Sequence, residues 1–281
     1  TLGVALLCKF SCILLLPFFA IITLVYIFLF SERERRLKNF FHYLGSALLV
    51  LIIAALVIYA LYLFNLWNYP IQKQVEDTKY LLSSNPFPTL AKINIWLAQN
   101  PILRPFAQYL LGLLMATQRV AGGNTTYFLG QVSAAGSWYY FPVVYLLKVP
   151  LAFHLLTLFA IVFAFWAFSS SFSFKKWLKF HFTEFSMICF LAIYWFTSIK
   201  GNLNIGIRHI LPVFPFTYIL VLSRGIQTGY RRIQNISCRK ITIFVLIGLF
   251  GWYGFSSLGA FPHYLSYFNE IAGGPKNGYQ Y

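Results

Sequence analysis

Apolar residues run along this chain in long blocks separated by short polar stretches. From Leu44 to Phe64, and again from Ile241 to Phe261, no charged residue interrupts the block. Each meets the roughly 20 apolar residues that a helix needs to cross the hydrocarbon core of a bilayer. No water reaches that core, so the backbone must satisfy its own hydrogen bonds and the blocks predict helices. The same pattern predicts six spans, near residues 2–30, 44–67, 141–168, 184–199, 205–223 and 241–261. Between the second and third lies the long segment 68–140. There Phe106, Tyr109, Leu110, Leu113 and Leu114 recur at helical spacing, which predicts either a helix along the membrane interface or a packing helix under a loop.

Composition sharpens this picture. With 59% of residues hydrophobic and only 10% charged, the chain is no soluble domain. The fold class expected is all-α, a polytopic bundle forming a single membrane domain. A formal net charge of +16 raises the question of nucleic acid, and the placement of the basic residues answers it. Twelve of the 22 Lys and Arg gather in three short stretches between spans: Arg33, Arg35, Arg36 and Lys38; Lys175, Lys176 and Lys179; Arg224, Arg231, Arg232, Arg239 and Lys240. That is how cytoplasmic loops are marked, and such loops attract anionic lipid headgroups. Nucleic acid is excluded as a partner. With those stretches inside, both termini, residues 68–140 and residues 262–281 face outward. Cys8, Cys12, Cys189 and Cys238 fall in or beside the spans and imply neither a disulfide framework nor a zinc site. Opening on Thr1, already inside an apolar run, the chain reads as a piece of a longer protein.

Candidate chemistry lies where charge meets apolar sequence. An Arg at the centre of a membrane helix costs about 2.5–3.5 kcal/mol, less toward the ends, and such residues face a protein interior or a wet cavity. In "NIGIRHILPVFPF", Arg208 and His209 stand at the outer end of the fifth span, and Pro212 and Pro215 predict a kink beside them. Lys9 is the one charge in the first span, and Lys148 lies just below the aromatic run Trp138, Tyr139 and Tyr140. That run suits an interfacial belt. Three outer cations, Lys9, Lys148 and Arg208, are candidates for holding one lipid phosphate, with Arg supplying a planar fork and Lys a point charge. The alternative for each is a side chain that only snorkels to the interface.

Four stretches carry a resemblance. "GVALLCKFSCILLLP", "YFLGQVSAAGSWYYFPVVYLLKVP", "NIGIRHILPVFPF" and "FPHYLSYFNEIAGGPKNGYQY" together resemble bacterial members of the protein O-mannosyltransferase and aminoarabinose-transferase group, glycosyltransferases of the C-type fold. The resemblance implies an integral protein of the bacterial inner membrane, active on its outer face. It would transfer a sugar from a polyprenyl-phosphate carrier to a protein, lipid or glycan acceptor, with a divalent metal as possible cofactor. It implies that Lys9 holds the lipid phosphate and that Arg208 and His209 line the same cavity; Lys148 is a further donor-site candidate, and Glu270, Asn269, Tyr139 and Tyr140 are candidates for the acceptor or the cavity, with turn chemistry around Gly273, Gly274 and Pro275 the alternative for Glu270. The family's catalytic acid belongs to a loop upstream of Thr1, so no catalytic base is assigned here. The adjacent Glu76 and Asp77 sit in a different loop beside Lys73 and Lys79 and read as a solvated cluster.

Two other classes fit part of the pattern. A transporter or flippase for a lipid-linked anion also places cations in a membrane recess, but at mid-membrane and with internal repeats. A non-catalytic membrane subunit would lack the acidic loop altogether. In the last span, Gly248, Gly251 and Gly254 recur at helical spacing and predict close approach of a neighbouring helix.

Overall fold

The computed structural model describes residues 1–167 and 173–281, without the side chains at positions 166, 167, 224, 225, 228, 229, 232 and 279. Phe168, the expected end of the third span, and the side chains of Arg224 and Arg232 therefore lie outside the described residues. The fold is almost wholly helical and divides into two compact units, Thr1–Gly122 and Gly123–Tyr281.

In the first unit, α1 (Leu2–Cys8) leads through a 3₁₀ turn, Phe10–Leu14, into α2 (Leu15–Phe30). A short turn at Arg33–Arg35 precedes the long α3 (Arg36–Asn65). Both long helices are apolar all round. Phe19, Leu24 and Phe28 of α2 and Leu48, Ile52 and Leu56 of α3 are each more than half exposed, while Ile27, Leu29, Ala54 and Ile58 alone are buried. A helix greasy on every side yet uncovered by protein is a membrane-crossing helix. The first apolar run is not one helix, as hydropathy predicts, because Lys9 is extended (φ −156°, ψ 129°). Pro17, in the first turn of α2, has no amide for the carbonyl four residues back, so the helix restarts there. Gly3 presses on α3: a Cβ on it would stand 3.0 Å from the Cα and carbonyl oxygen of Ala54.

Beyond α3 come α4 (Ile71–Leu81), α5 (Pro88–Gln99) and α6 (Arg104–Gly122). Their small core joins Leu82, Ala91, Leu111 and Leu114. Of the two readings of α6 that the sequence allows, packing holds, because Pro105, Ala107, Leu111 and Leu114 are buried among neighbouring helices.

The second unit opens with a hairpin, β1 (Thr126–Phe128) and β2 (Gln131–Ser133), antiparallel with Tyr127 opposite Val132. Leu129 and Gly130, both at positive φ, close it. Then follow α7 (Tyr140–Lys148), α8 (Leu151–Ala167), α9 (Phe174–Phe180) and α10 (Phe182–Lys200). A 3₁₀ segment, Ile207–Val213, runs into α11 (Phe214–Ile219), a π-helical turn at Leu220–Ile226, α12 (Gln227–Arg232) and α13 (Ile236–Gly259). Short 3₁₀ turns finish the chain.

Among the described residues, four helical stretches are long and apolar enough to cross a membrane: Phe10–Phe30, Arg33–Asn65, Phe182–Lys200 and Ile236–Gly259. The other two predicted spans are interrupted. Pro150 drives Val149 into an extended conformation and α7 meets α8 at a bend of 108°. The stretch Ile207–Ser223 is short, and its prolines leave it 3₁₀-helical at the start. One expectation is corrected outright. A Cβ on Gly248, Gly251 or Gly254 would meet nothing within 4 Å, so no helix among the described residues approaches that row. Only Leu249 of α13 is buried.

Candidate functional site

Arg208 is presented outward by the geometry of its helix. Three residues complete a 3₁₀ turn, so Ile207, Ile210 and Val213 form one line, and all three are buried. The next line, beginning at Arg208 and Leu211, faces away from the core and both residues are exposed. Gly206 starts the segment at φ 83°, ψ −178°, a conformation that side chains with a Cβ rarely adopt. Arg208 Nε donates to the Ile205 carbonyl at 3.0 Å, which fixes the stem of the side chain and leaves the two terminal nitrogens forward. Neither Arg208 nor Lys9 lies within 4.0 Å of a carboxylate among the described residues.

Around Arg208 the predicted partners are partly assembled. His209 is held by its backbone, whose carbonyl accepts from Tyr194 Oη at 2.9 Å, and its ring lies 5.2 Å from that of Phe141. Tyr140 is buried, lies close enough to the Gly206 amide and the Arg208 guanidinium to feel both, and meets Phe128 of the hairpin at 4.7 Å between ring centres. Trp138 is 70% exposed and Tyr139 half-buried, so the aromatic belt suits those two and not Tyr140. Asn204 is buried with its side-chain oxygen unpartnered.

Lys148 does not join Arg208. Eight steps of 1.5 Å separate Tyr140 from Lys148 by about 12 Å along α7, so the two cations stand at opposite ends of that helix. Lys148 Nζ donates to the Leu265 carbonyl at 2.8 Å and sits 3.8 Å from the centre of the Phe268 ring. Those contacts tie the C-terminal segment to α7. Asn269 completes the tie. Its side-chain nitrogen donates to the carbonyls of Leu146 and Val149, its backbone amide to Leu147, and its side-chain oxygen accepts from the amides of Ile271 and Ala272. These are the carbonyls that the break at Pro150 leaves without helical partners. At 1% exposure Asn269 has no surface for a ligand.

Glu270, the next residue, is exposed and accepts from Trp252 Nε1 at 3.0 Å. Both belong to a hollow of about 490 Å³ with Ser256, His263, Tyr267 and Phe268 also in its wall. Burial, and after it the Glu270 carboxylate, push the Tyr267 phenol up, while the Ser256 hydroxyl pulls the other way. A carboxylate fixed by an indole, with aromatic faces beside it, suits a hydroxyl-bearing ring. The pattern of the sequence did not point to Trp252, His263 or Tyr267. Trp252 is 18 residues from Glu270 on an apolar helix, and nothing in periodicity joins them.

Lys9 belongs to the first unit. It is exposed at the break between α1 and the 3₁₀ turn, and its carbonyl accepts from the Cys12 amide at 2.9 Å. Phe10, the next residue, lines an open groove of about 1000 Å³ with Leu81, Pro86, Met115 and Arg119. Asp77 accepts from the Tyr69 hydroxyl, which gives it a local structural role, while Glu76 is exposed.

No known protein family, curated protein or solved structure matches the chain. Among the described residues, no three His, Cys, Asp or Glu side chains come together as a metal set.

Proposed function

We propose that this chain is the membrane portion of a glycosyltransferase that takes its sugar from a polyprenyl-phosphate carrier at the outer face of a bacterial inner membrane. The observation that carries this reading is the presentation of Arg208. A cation in an apolar span is anchored by its own Nε and turned outward without a carboxylate to neutralise it, which suits a fork awaiting an anion. Lys9, exposed at a second helix break beside an apolar groove, is the matching feature of the first unit. The groove suits a prenyl chain, and the hollow holding Glu270 suits the acceptor.

In the reaction, an acceptor oxygen or nitrogen attacks the anomeric carbon while the bond from that carbon to the phosphate oxygen breaks. The electron pair goes to the phosphate and the acceptor's proton to a base. Fixed cations at the phosphate stabilise the charge that develops as it leaves. Arg208 takes that role in the second unit, and the base is assigned to no residue of this chain.

The test is donor use by the intact protein reconstituted in lipid. A hydrogen bond to a charged group contributes about 1.5–3 kcal/mol, so Arg208→Ala and Lys9→Ala should each weaken polyprenyl-phosphate binding by about tenfold or more. Arg208→Lys should restore only part of the loss, since an ammonium cannot reproduce the fork. If both alanine variants keep the wild-type transfer rate and donor saturation, the reading is wrong.

A further inference from the structure

The inference concerns α5, and needs only that the first unit spans a membrane. α5 is inside out. The side facing α4 and α6 carries Ala91, Asn94 and Ala98, each buried, and neither side-chain atom of Asn94 has a hydrogen-bond partner. The opposite side exposes Leu90 (43%), Ile93 (46%) and Trp96 (60%), with Phe87 just before the helix exposed as well. At 100° per residue, Trp96, Ile93, Leu97 and Leu90 fill an arc of about 120°. Lys92 and Gln99 lie together on its edge, and both are exposed. A helix in water buries its tryptophan and exposes its asparagine. The reverse is stable where the outside is less polar than water.

The depth of α5 follows from its neighbours. Phe106 of α6 meets Tyr59 of α3 at 5.2 Å between ring centres, and Tyr109 meets Tyr62 at 5.9 Å. Those tyrosines belong to the last two turns of α3, which ends at Asn65. α6 therefore runs beside the very end of a membrane-crossing helix. Five residues, 66–70, join α3 to α4 and reach at most about 18 Å. α5 packs on α6 through the core of Ala91, Leu111 and Leu114, so it lies at the level where α3 leaves the hydrocarbon.

We propose that the row Leu90, Ile93 and Trp96 is a lipid-docking surface, immersed in the bilayer leaflet at which α3 ends. Trp96 occupies headgroup depth, where its amphipathic ring is favoured. Lys92 reaches outward from the edge of the apolar arc to the phosphates. The partner is the bilayer itself, and the helix lies in its plane. Of the two helices, α6, with the clearer amphipathic spacing in sequence, is the packing element and α5 is the one in lipid.

Tryptophan emission in bilayers tests the inference. The protein has seven tryptophans, so the Trp96 signal is taken as the difference between wild type and Trp96→Phe, each reconstituted in phosphatidylcholine and in its analogue brominated at acyl carbons 6 and 7. The brominated lipid should abolish most of the Trp96 emission, and aqueous acrylamide little of it. Moving the indole should reproduce the pattern of the helix: with Trp96→Phe, Ile93→Trp should be quenched by brominated lipid and Gln99→Trp by acrylamide. These positions are exposed, so the variants should unfold at the wild-type temperature. A Trp96 signal insensitive to bromine and quenched by acrylamide would mean a water-facing helix, and one that neither quencher reaches would mean a protein cover. Either result overturns the proposal.

Discussion

Asn269 shows how much a single side chain decides in this fold. The break at Pro150 frees the carbonyls at the end of α7, and an unsatisfied buried polar group costs about 1–3 kcal/mol. One asparagine answers two of them and caps the following 3₁₀ turn as well. The Leu146 carbonyl also has His154 Nε2 at 3.1 Å, so Asn269→Ala should lower the thermal unfolding midpoint in detergent by an amount matching the Val149 carbonyl left unsatisfied and the lost cap. Asn269→Asp should lower it as well, since it keeps the acceptor and loses both donors. Wild-type midpoints for the two would show that the clasp contributes nothing. In sequence Asn269 suggests only a polar residue beside Glu270, a candidate for ligand contact. Its role was not legible because the carbonyls it meets are more than a hundred positions away.

Between elements, the joint from α3 to α4 is the best defined. The Arg104 guanidinium donates to the Tyr69 carbonyl and the Tyr69 hydroxyl donates to Asp77. Burial, then the hydrogen bond and the charge of Asp77, push the Tyr69 phenol up to about 12, with Arg104 acting in the opposite sense. The folded value lies above the usual one near 10, so folding favours the neutral phenol. Its contribution is whole below about pH 10 and is lost as the pH rises through about 12. A spectrophotometric titration should show the Tyr69 phenolate, taken as wild type minus Tyr69→Phe, forming only toward pH 12. Asp77→Asn should bring it to lower pH. An ordinary titration in the wild type would mean that Tyr69 is not held by Asp77. The Arg208 segment rests on the same kind of local rule, since a 3₁₀ period of three aligns Ile207, Ile210 and Val213 on the core and turns Arg208 out.

For the molecule as a whole, charge placement makes the firmest statement. Exposed apolar helices require lipid around them, and in the proposed threading the basic stretches mark the side that stays in the cytoplasm. A cysteine introduced beside Arg35 should resist an impermeant thiol reagent added to intact cells, whereas one beside Lys276 should react. The reverse result would invert the threading and move Glu270 to the inner face. Lys9 in the first unit and Arg208 in the second are exposed cations at helix breaks inside apolar sequence.

By itself the sequence determined the helical class, the membrane as solvent and the disturbed helix at Pro212 and Pro215, while the breaks at Lys9 and Pro150 came only with the structure. All three follow from local causes: the length of apolar blocks, the charges between them, and prolines that lack an amide. The tertiary structure decided which way each side chain is turned. Lys148 went to carbonyls and a ring at one end of α7 while Arg208 stayed at the other, and Asn269 became a clasp. α6 turned inward and α5 outward. Those outcomes depend on partners distant in the chain, and in a segment that meets protein on one side and lipid on the other, apolar spacing alone does not say which side is which.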